Sequence, residues 1–238
     1  MTAPIVARIR SAAPALSVGA TSANLMALGN DIAALEKCGA SLLHFDIMDG
    51  HFAPQLTVGP SFVKGAATAM LKDVHLMIEN PFAVLPQYAA AGADIISVHV
   101  ESCDHVLACL QYIGGLANVR DASRGIARGI ALNPGTSLSA LEPLLYESDV
   151  ITLVTVNPGF GGQKPSPGTA ERARRVRTMI AESGRDILLC IDGGITKDNI
   201  EAVAAMKQDI VVSGSAVFEE NEIAANFRTM THALTGTL

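Results

Sequence analysis

Tryptophan is absent from this 238-residue chain, and Phe and Tyr together make up only 4% of it. Any core must therefore be aliphatic. Charged side chains are also scarce, at 17%, while 49% of residues are apolar, which is a globular composition far from the disordered range. The length suits one large domain or two small ones. No stretch reaches 18 uncharged apolar residues, so no membrane span is expected. The opening "MTAPIVARIRSAAPALS" has two arginines but no long apolar core, so no signal peptide is expected. Cys-x-x-Cys pairs are missing. Cys38, Cys103, Cys109 and Cys190 fit no zinc framework and read as reduced thiols of a cytoplasmic protein. Long Lys/Arg runs are missing too, and the net charge is −6, which argues against a nucleic-acid partner. The densest basic segment, "ERARRVRTM" (171–179), reads as the solvated face of a helix.

What recurs is short apolar runs. They are "PALSVG" (14–19), "LLHFDIM" (42–48), "DVHLMI" (73–78), "DIISVHV" (94–100), "GIALN" (129–133), "VITLVTVN" (150–157), "DILLCID" (186–192) and "DIVVSGSAVF" (209–218). Their length and aliphatic character are those of strands buried on both faces. Helical patterns lie between them. Residues 22–40 place Leu25, Leu28, Ile32 and Leu35 at helical spacing, with Gly39 as a stop. Residues 81–93 start at Pro81 and end at Gly92, and residues 195–206 repeat the pattern with Thr196 as N-cap. No linker divides the series. The economical reading is an α/β fold, a single (β/α)8 TIM barrel over residues 1–238. A doubly wound open sheet is the alternative, but no Gly-x-Gly-x-x-Gly signal follows the first strand.

A barrel carries its active site at the C-terminal strand ends. Ser17, His44, Asp46, His75, His99, Asn133, Asn157 and Asp192 all fall near such ends. His44 and Asp46 are two apart and share a face, which should be the barrel interior. With His75 on the next strand and Asp192 closing the seventh, two imidazoles and two carboxylates can surround one point. That mixed set suits Zn²⁺, Mn²⁺, Fe²⁺ or Co²⁺. A lone core histidine is more often structural, but a buried carboxylate needs compensation, and a metal supplies it.

Glycines form the second feature. "NPGFGGQ" (157–163), with Gly159, Gly161 and Gly162, follows the sixth strand. "DGGI" (192–195), with Gly193 and Gly194, and "SGSA" (213–216), with Gly214 and Ser215, follow the seventh and eighth. Glycine lets backbone N–H groups approach an anion, so an acidic protein can still hold a phosphate.

Taken in order, "HFDIMDGHFAP" (44–54), "DVHLMIENP" (73–81), "ALNPGT" (131–136), "TVNPGFGGQK" (155–164), "IDGGI" (191–195) and "GSAVF" (214–218) resemble the ribulose-phosphate 3-epimerase family, over about residues 14 to 218. The resemblance implies a barrel of the ribulose-phosphate-binding type. It implies one divalent metal on His44, Asp46, His75 and Asp192, with Asp46 and Asp192 as an acid/base pair on opposite faces of the substrate. It also implies substrate contacts from Ser17, a reaction centre lined by Met48 and Met77, and a phosphate cradle of Gly161, Gly162, Gly194, Gly214 and Ser215. The expected partner is a phosphorylated ketose, and a homo-oligomer is expected. Such an enzyme removes a proton at C3 beside the C2 carbonyl and returns one from the other face. Asp49 and His51 lie past the strand end; Asp49 is expected to brace the turn at Gly50.

Three departures from the family pattern bear on the substrate. Val154 stands where the family usually has a methionine, Pro165 replaces a bulky residue, and the connection over 110–129 is longer than usual. They leave room for another ketose phosphate, such as allulose 6-phosphate or a tetrulose phosphate. A phosphate-binding barrel without chemistry is the rival from another class.

Overall fold

In the computed structural model, which describes residues 4–236, eight parallel strands close in sequence order into a barrel. They are β1 (Ala15–Gly19), β2 (Leu42–Met48), β3 (Leu71–Met77), β4 (Ile95–His99), β5 (Ala127–Leu132), β6 (Val150–Val154), β7 (Leu188–Asp192) and β8 (Ile210–Ser213). Helices α1 (Pro4–Ser11), α2 (Leu28–Lys37), α3 (Pro60–Gly65), α4 (Leu85–Ala90), α5 (Val106–Gly115), α6 (Thr169–Ser183), α7 (Ile200–Ala204), α8 (Ser215–Phe218) and α9 (Ile223–Thr235) accompany them. The closed sheet excludes the open-sheet alternative. Among the described residues, no helix is long and apolar enough to cross a membrane.

Several boundaries differ from the sequence expectation. The helix expected over 22–40 begins only at Leu28, and Leu25 lies before it, 44% exposed. Thr196 does not cap α7. Asn199 takes the N-cap position, and its side chain accepts the Thr196 N–H. The apolar run 209–218 is strand only to Ser213, then turns at Gly214 into α8. Between β5 and β6 the chain forms a 3₁₀ helix, Leu138–Glu147, rather than an α-helix. Pro143 inside it has no N–H to give. Its apolar residues Leu138, Leu141 and Leu144 recur every third position, which is the period of a 3₁₀ face, and all three are buried.

Alternation along the strands builds two shells. Outward residues such as Leu43, Phe45, Val74, Leu76, Ile96 and Ile151 pack beneath the helices. The lowest inward residues (Ala15, Leu42, Leu71, Ile95, Ala127, Val150, Leu188 and Ile210) form an apolar floor, which α1 closes with Ile5, Val6 and Ile9. Higher up, the inward positions turn polar.

The N-terminal end of the barrel carries a repeated carboxylate clamp. Asp94, Asp149 and Asp209 immediately precede β4, β6 and β8. Each accepts a backbone N–H of the preceding strand: Lys72 at 2.9 Å, Arg128 at 3.0 Å and Leu189 at 2.7 Å. Each also binds guanidinium. Arg120 and Arg124 hold Asp94, Arg128 holds Asp149, and Arg10 and Arg177 hold Asp209. The long connection after α5 thus helps to hold the barrel together, because Asn118, Arg120 and Arg124 from it all reach Asp94.

Candidate metal centre and active site

The polar centre stands on β2 and β3, whose register pairs Asp46 with His75 and Met48 with Met77. Thr57 locks the end of β2, donating to the Asp46 carbonyl at 2.6 Å and accepting the Met48 N–H at 2.9 Å. Asp49 braces the turn as expected: it accepts N–H groups of His51 and Phe52, and it ties in the next loop through Glu79 N–H.

His44, Asp46, His75 and Asp192 come together, with one ligand atom of each within 4.8 Å of all the others. His44 Nε2 lies 3.1 Å from Asp46 Oδ1 and 3.8 Å from Asp192 Oδ2. His75 Nδ1 lies 3.4 Å from Asp46 Oδ1 and 3.1 Å from Asp192 Oδ2. That nitrogen is buried and has no hydrogen-bond partner, although two carboxylates stand beside it. An orphaned ring nitrogen among two carboxylates and a second imidazole fits a divalent cation.

The charges are strongly coupled. Burial opposes a charged His44, but Asp73 and Asp46 outweigh it and hold the imidazole well above its usual range. Burial likewise opposes protonation of His75, yet Asp192 and Asp46 lift it to about 9. Burial pushes Asp46 toward the neutral acid, but His44 and His75 win and keep its carboxyl well below the carboxylate range.

Sequence reasoning missed Asp73. It lies two residues before His75 on the same face, and its Oδ2 takes His44 Nδ1 at 2.8 Å. A metal-binding imidazole needs such a partner on its second nitrogen. Ser17 belongs to this support: it is fully buried and donates to Asp73 Oδ2 at 2.9 Å. Alternation could have flagged Asp73, and likewise Glu101, two residues beyond His99.

Above the polar centre opens a cleft of about 180 Å³ lined by Asp46, Met48, His75, Met77, Val154, Gly159, Gly161, Asp192 and Gly193, with Gln55 and Phe160 at its edge. Two larger surface hollows lie elsewhere, at the barrel floor and beside α2, and hold no comparable set of groups. Gly162, Gly194, Gly214 and Ser215 lie outside this lining, on the adjoining ends of β6, β7 and β8. Asn157 does line the cleft, from the loop after β6, where its backbone is held by Gln163. His99 backs His75 from β4, at 2.8 Å.

The glycines differ in what they require. Gly159 has φ +84°, and a Cβ there would meet Pro54 Cδ at 2.5 Å, so the loops after β2 and β6 touch through it. Gly161 has open space. Gly159→Ala is therefore expected to cost about 1–3 kcal/mol in denaturant unfolding, and Gly161→Ala less than about 0.5 kcal/mol. Equal costs would contradict the close approach.

A sequence profile of the "Ribulose-phosphate 3 epimerase family" matches residues 15–218. The chain is 40% identical over 204 residues to "Ribulose-phosphate 3-epimerase" of Bacillus subtilis, covering 84% of this chain and 90% of that protein. It is 43% identical over 203 residues to the protein of the same name from Escherichia coli K12, covering 84% and 86%. Among solved structures, 3-hexulose-6-phosphate synthase from Salmonella typhimurium superposes with a TM-score of 0.64 at 18% identity, covering 92% of this chain and 98% of that one. At that identity the likeness concerns the fold alone.

Proposed function

The chain belongs to the ribulose-phosphate 3-epimerase family, and from that premise we propose that it interconverts D-ribulose 5-phosphate and D-xylulose 5-phosphate by proton transfer at C3 between substrate, Asp46 and Asp192. It is an isomerase, an epimerase acting on a carbohydrate phosphate. The observation that carries the mechanism is the meeting of both carboxylates at one buried centre with two imidazoles.

Asp46 rests ionised because His44 and His75 favour its anion. It is therefore the base in one direction, taking the C3 proton. Asp192 reaches the centre from β7, on another side of the barrel from β2, and gives a proton to the opposite face. In the reverse direction the roles exchange. A divalent metal on His44, Asp46, His75 and Asp192 (zinc, iron, manganese or cobalt) would supply positive charge beside the enediolate oxygens. Met48 and Met77 wall the cleft with polarizable groups that offer no proton. Gly161, Gly162, Gly194, Gly214 and Ser215 hold the phosphate through neutral donors. The four cysteines are free thiols, which supports a cytoplasmic setting.

The substrate assignment is tested by kcat/KM of metal-loaded enzyme on ribulose 5-phosphate, allulose 6-phosphate and a tetrulose phosphate. Ribulose 5-phosphate is expected to rank first; ranking last would overturn the assignment.

Metal binding should also release protons. Ligation needs neutral imidazoles, whereas both are held protonated at neutral pH without metal. Apparent affinity should therefore rise with pH up to about 9, through His75. For the metal-free fold the sign is opposite. The raised His75 pKa stabilises fully below its ordinary 6.5, and that contribution fades as pH rises through about 9. Calorimetry in buffers of different ionisation enthalpy measures the release; a buffer-independent enthalpy would contradict it.

A further inference from the structure

His75 has two ring nitrogens with different surroundings. Nδ1 faces Asp46 and Asp192. Nε2 lies 2.8 Å from Nε2 of His99, and the two rings are nearly parallel, at 14°. A neutral contact between two ring nitrogens needs one proton: one side donates and the other accepts. Which side donates is decided farther out.

His99 Nδ1 lies 3.0 Å from Glu101 Oε2. An ionised carboxylate only accepts. Partial burial works against the Glu101 anion, but His99, the Thr136 hydroxyl and the Asn133 N–H overcome it and keep the carboxyl below its usual range. So His99 carries its hydrogen on Nδ1. His99 Nε2 faces only the His75 ring nitrogen, so in the imidazole with its hydrogen on Nδ1 this side is a bare lone pair. His75 must then donate from Nε2. When His75 is neutral, Nδ1 is left bare, and it is the nitrogen that faces the centre.

We propose that Glu101 and His99 are positioning residues that preset His75 as a metal ligand through the ordered relay Glu101–His99–His75. The proposal rests on reading His44, Asp46, His75 and Asp192 as a metal centre. The two imidazoles of that centre are supported differently. His44 presents Nε2 inward and meets Asp73 directly through Nδ1. His75 presents Nδ1 inward, so its Nε2 points toward β4 and reaches a carboxylate only by way of His99.

The relay is held rigidly. His99 is fully buried, packed between His75 at 4.9 Å and the Phe52 ring at 4.6 Å. Glu101 Oε1 is separately occupied by Asn133 N–H and the Thr136 hydroxyl. The carbonyls of those two residues accept Arg172 from α6. Glu101 thus has a loop side and a relay side, and the two can be cut independently.

The test has two readouts. The first is ¹⁵N-resolved NMR of His99 in metal-free wild-type protein at neutral pH, where the Nδ1–H tautomer is expected. The second is Zn²⁺ affinity by chelator competition, with circular dichroism confirming the fold. Glu101→Ala should weaken Zn²⁺ binding about 10- to 100-fold. Glu101→Gln should weaken it less, since its amide oxygen can still accept. Thr136→Val, which cuts the loop side only, should leave the affinity unchanged. An Nε2–H tautomer in the wild type, or wild-type affinity in folded Glu101→Ala, overturns the relay while the metal centre stands. Wild-type protein that binds neither Zn²⁺ nor Mn²⁺ overturns the metal centre, and the relay with it.

Discussion

Asp46→Asn and Asp192→Asn should each lower kcat/KM for ribulose 5-phosphate by at least about 10²–10⁴-fold, the range for loss of a positioned acid or base. Asparagine keeps the size of the side chain but cannot take up a proton at neutral pH. Both residues also belong to the proposed ligand set, so each substitution removes an anionic donor as well. The loss should appear in kcat, because the missing interaction develops in the transition state. The fold should survive, since the substituted groups stand in a cluster of four at the barrel mouth rather than in the aliphatic shells. Steady-state kinetics in both directions, with melting curves as control, measure this. Near wild-type kcat in either variant would remove the two-carboxylate mechanism.

Asp94→Ala should do the reverse: a large loss of stability with activity intact. Asp94 is fully buried and has Lys72 N–H at 2.9 Å, Asn118 Nδ2 at 2.8 Å, Arg120 at 2.9 Å and Arg124 at 2.8 Å. Removing it leaves two guanidinium groups without their carboxylate and one strand N–H without its acceptor. Breaking a buried charge pair costs about 3–5 kcal/mol, which for a chain of this size lowers Tm by roughly 6–20 °C. Asp94 immediately precedes β4, at the end of the barrel away from the cluster of His44, Asp46, His75 and Asp192. Below its melting range, the variant should therefore keep wild-type kcat. An unchanged Tm, or lost activity in folded protein, would contradict the clamp.

Much of this was legible in the residues, and the limits have physical causes. Alternation placed His44, Asp46 and His75 inside the barrel, because period-two patterning fixes which face a strand residue takes. The same alternation contained Asp73 and Glu101, but both act through other side chains, Asp73 through His44 and Glu101 through His99. The floor helix α1 was not foreseen. Its stripe of Ile5, Val6 and Ile9 is too short to register as a helical period, and it gains its meaning only from the open strand ends it covers. Leu25 was grouped with Leu28 by spacing alone, and spacing does not reveal where the first helical turn begins. The connection over 110–129 showed only its unusual length, because nothing local says that Arg120 and Arg124 find their partner 26 and 30 residues earlier at Asp94.

The most direct test of the central claim is wild-type, metal-loaded protein incubated with D-ribulose 5-phosphate in D₂O and followed by NMR. D-Xylulose 5-phosphate should accumulate, with deuterium at C3 and at no other carbon. Retention of protium at C3 with no conversion of ribulose 5-phosphate would contradict it.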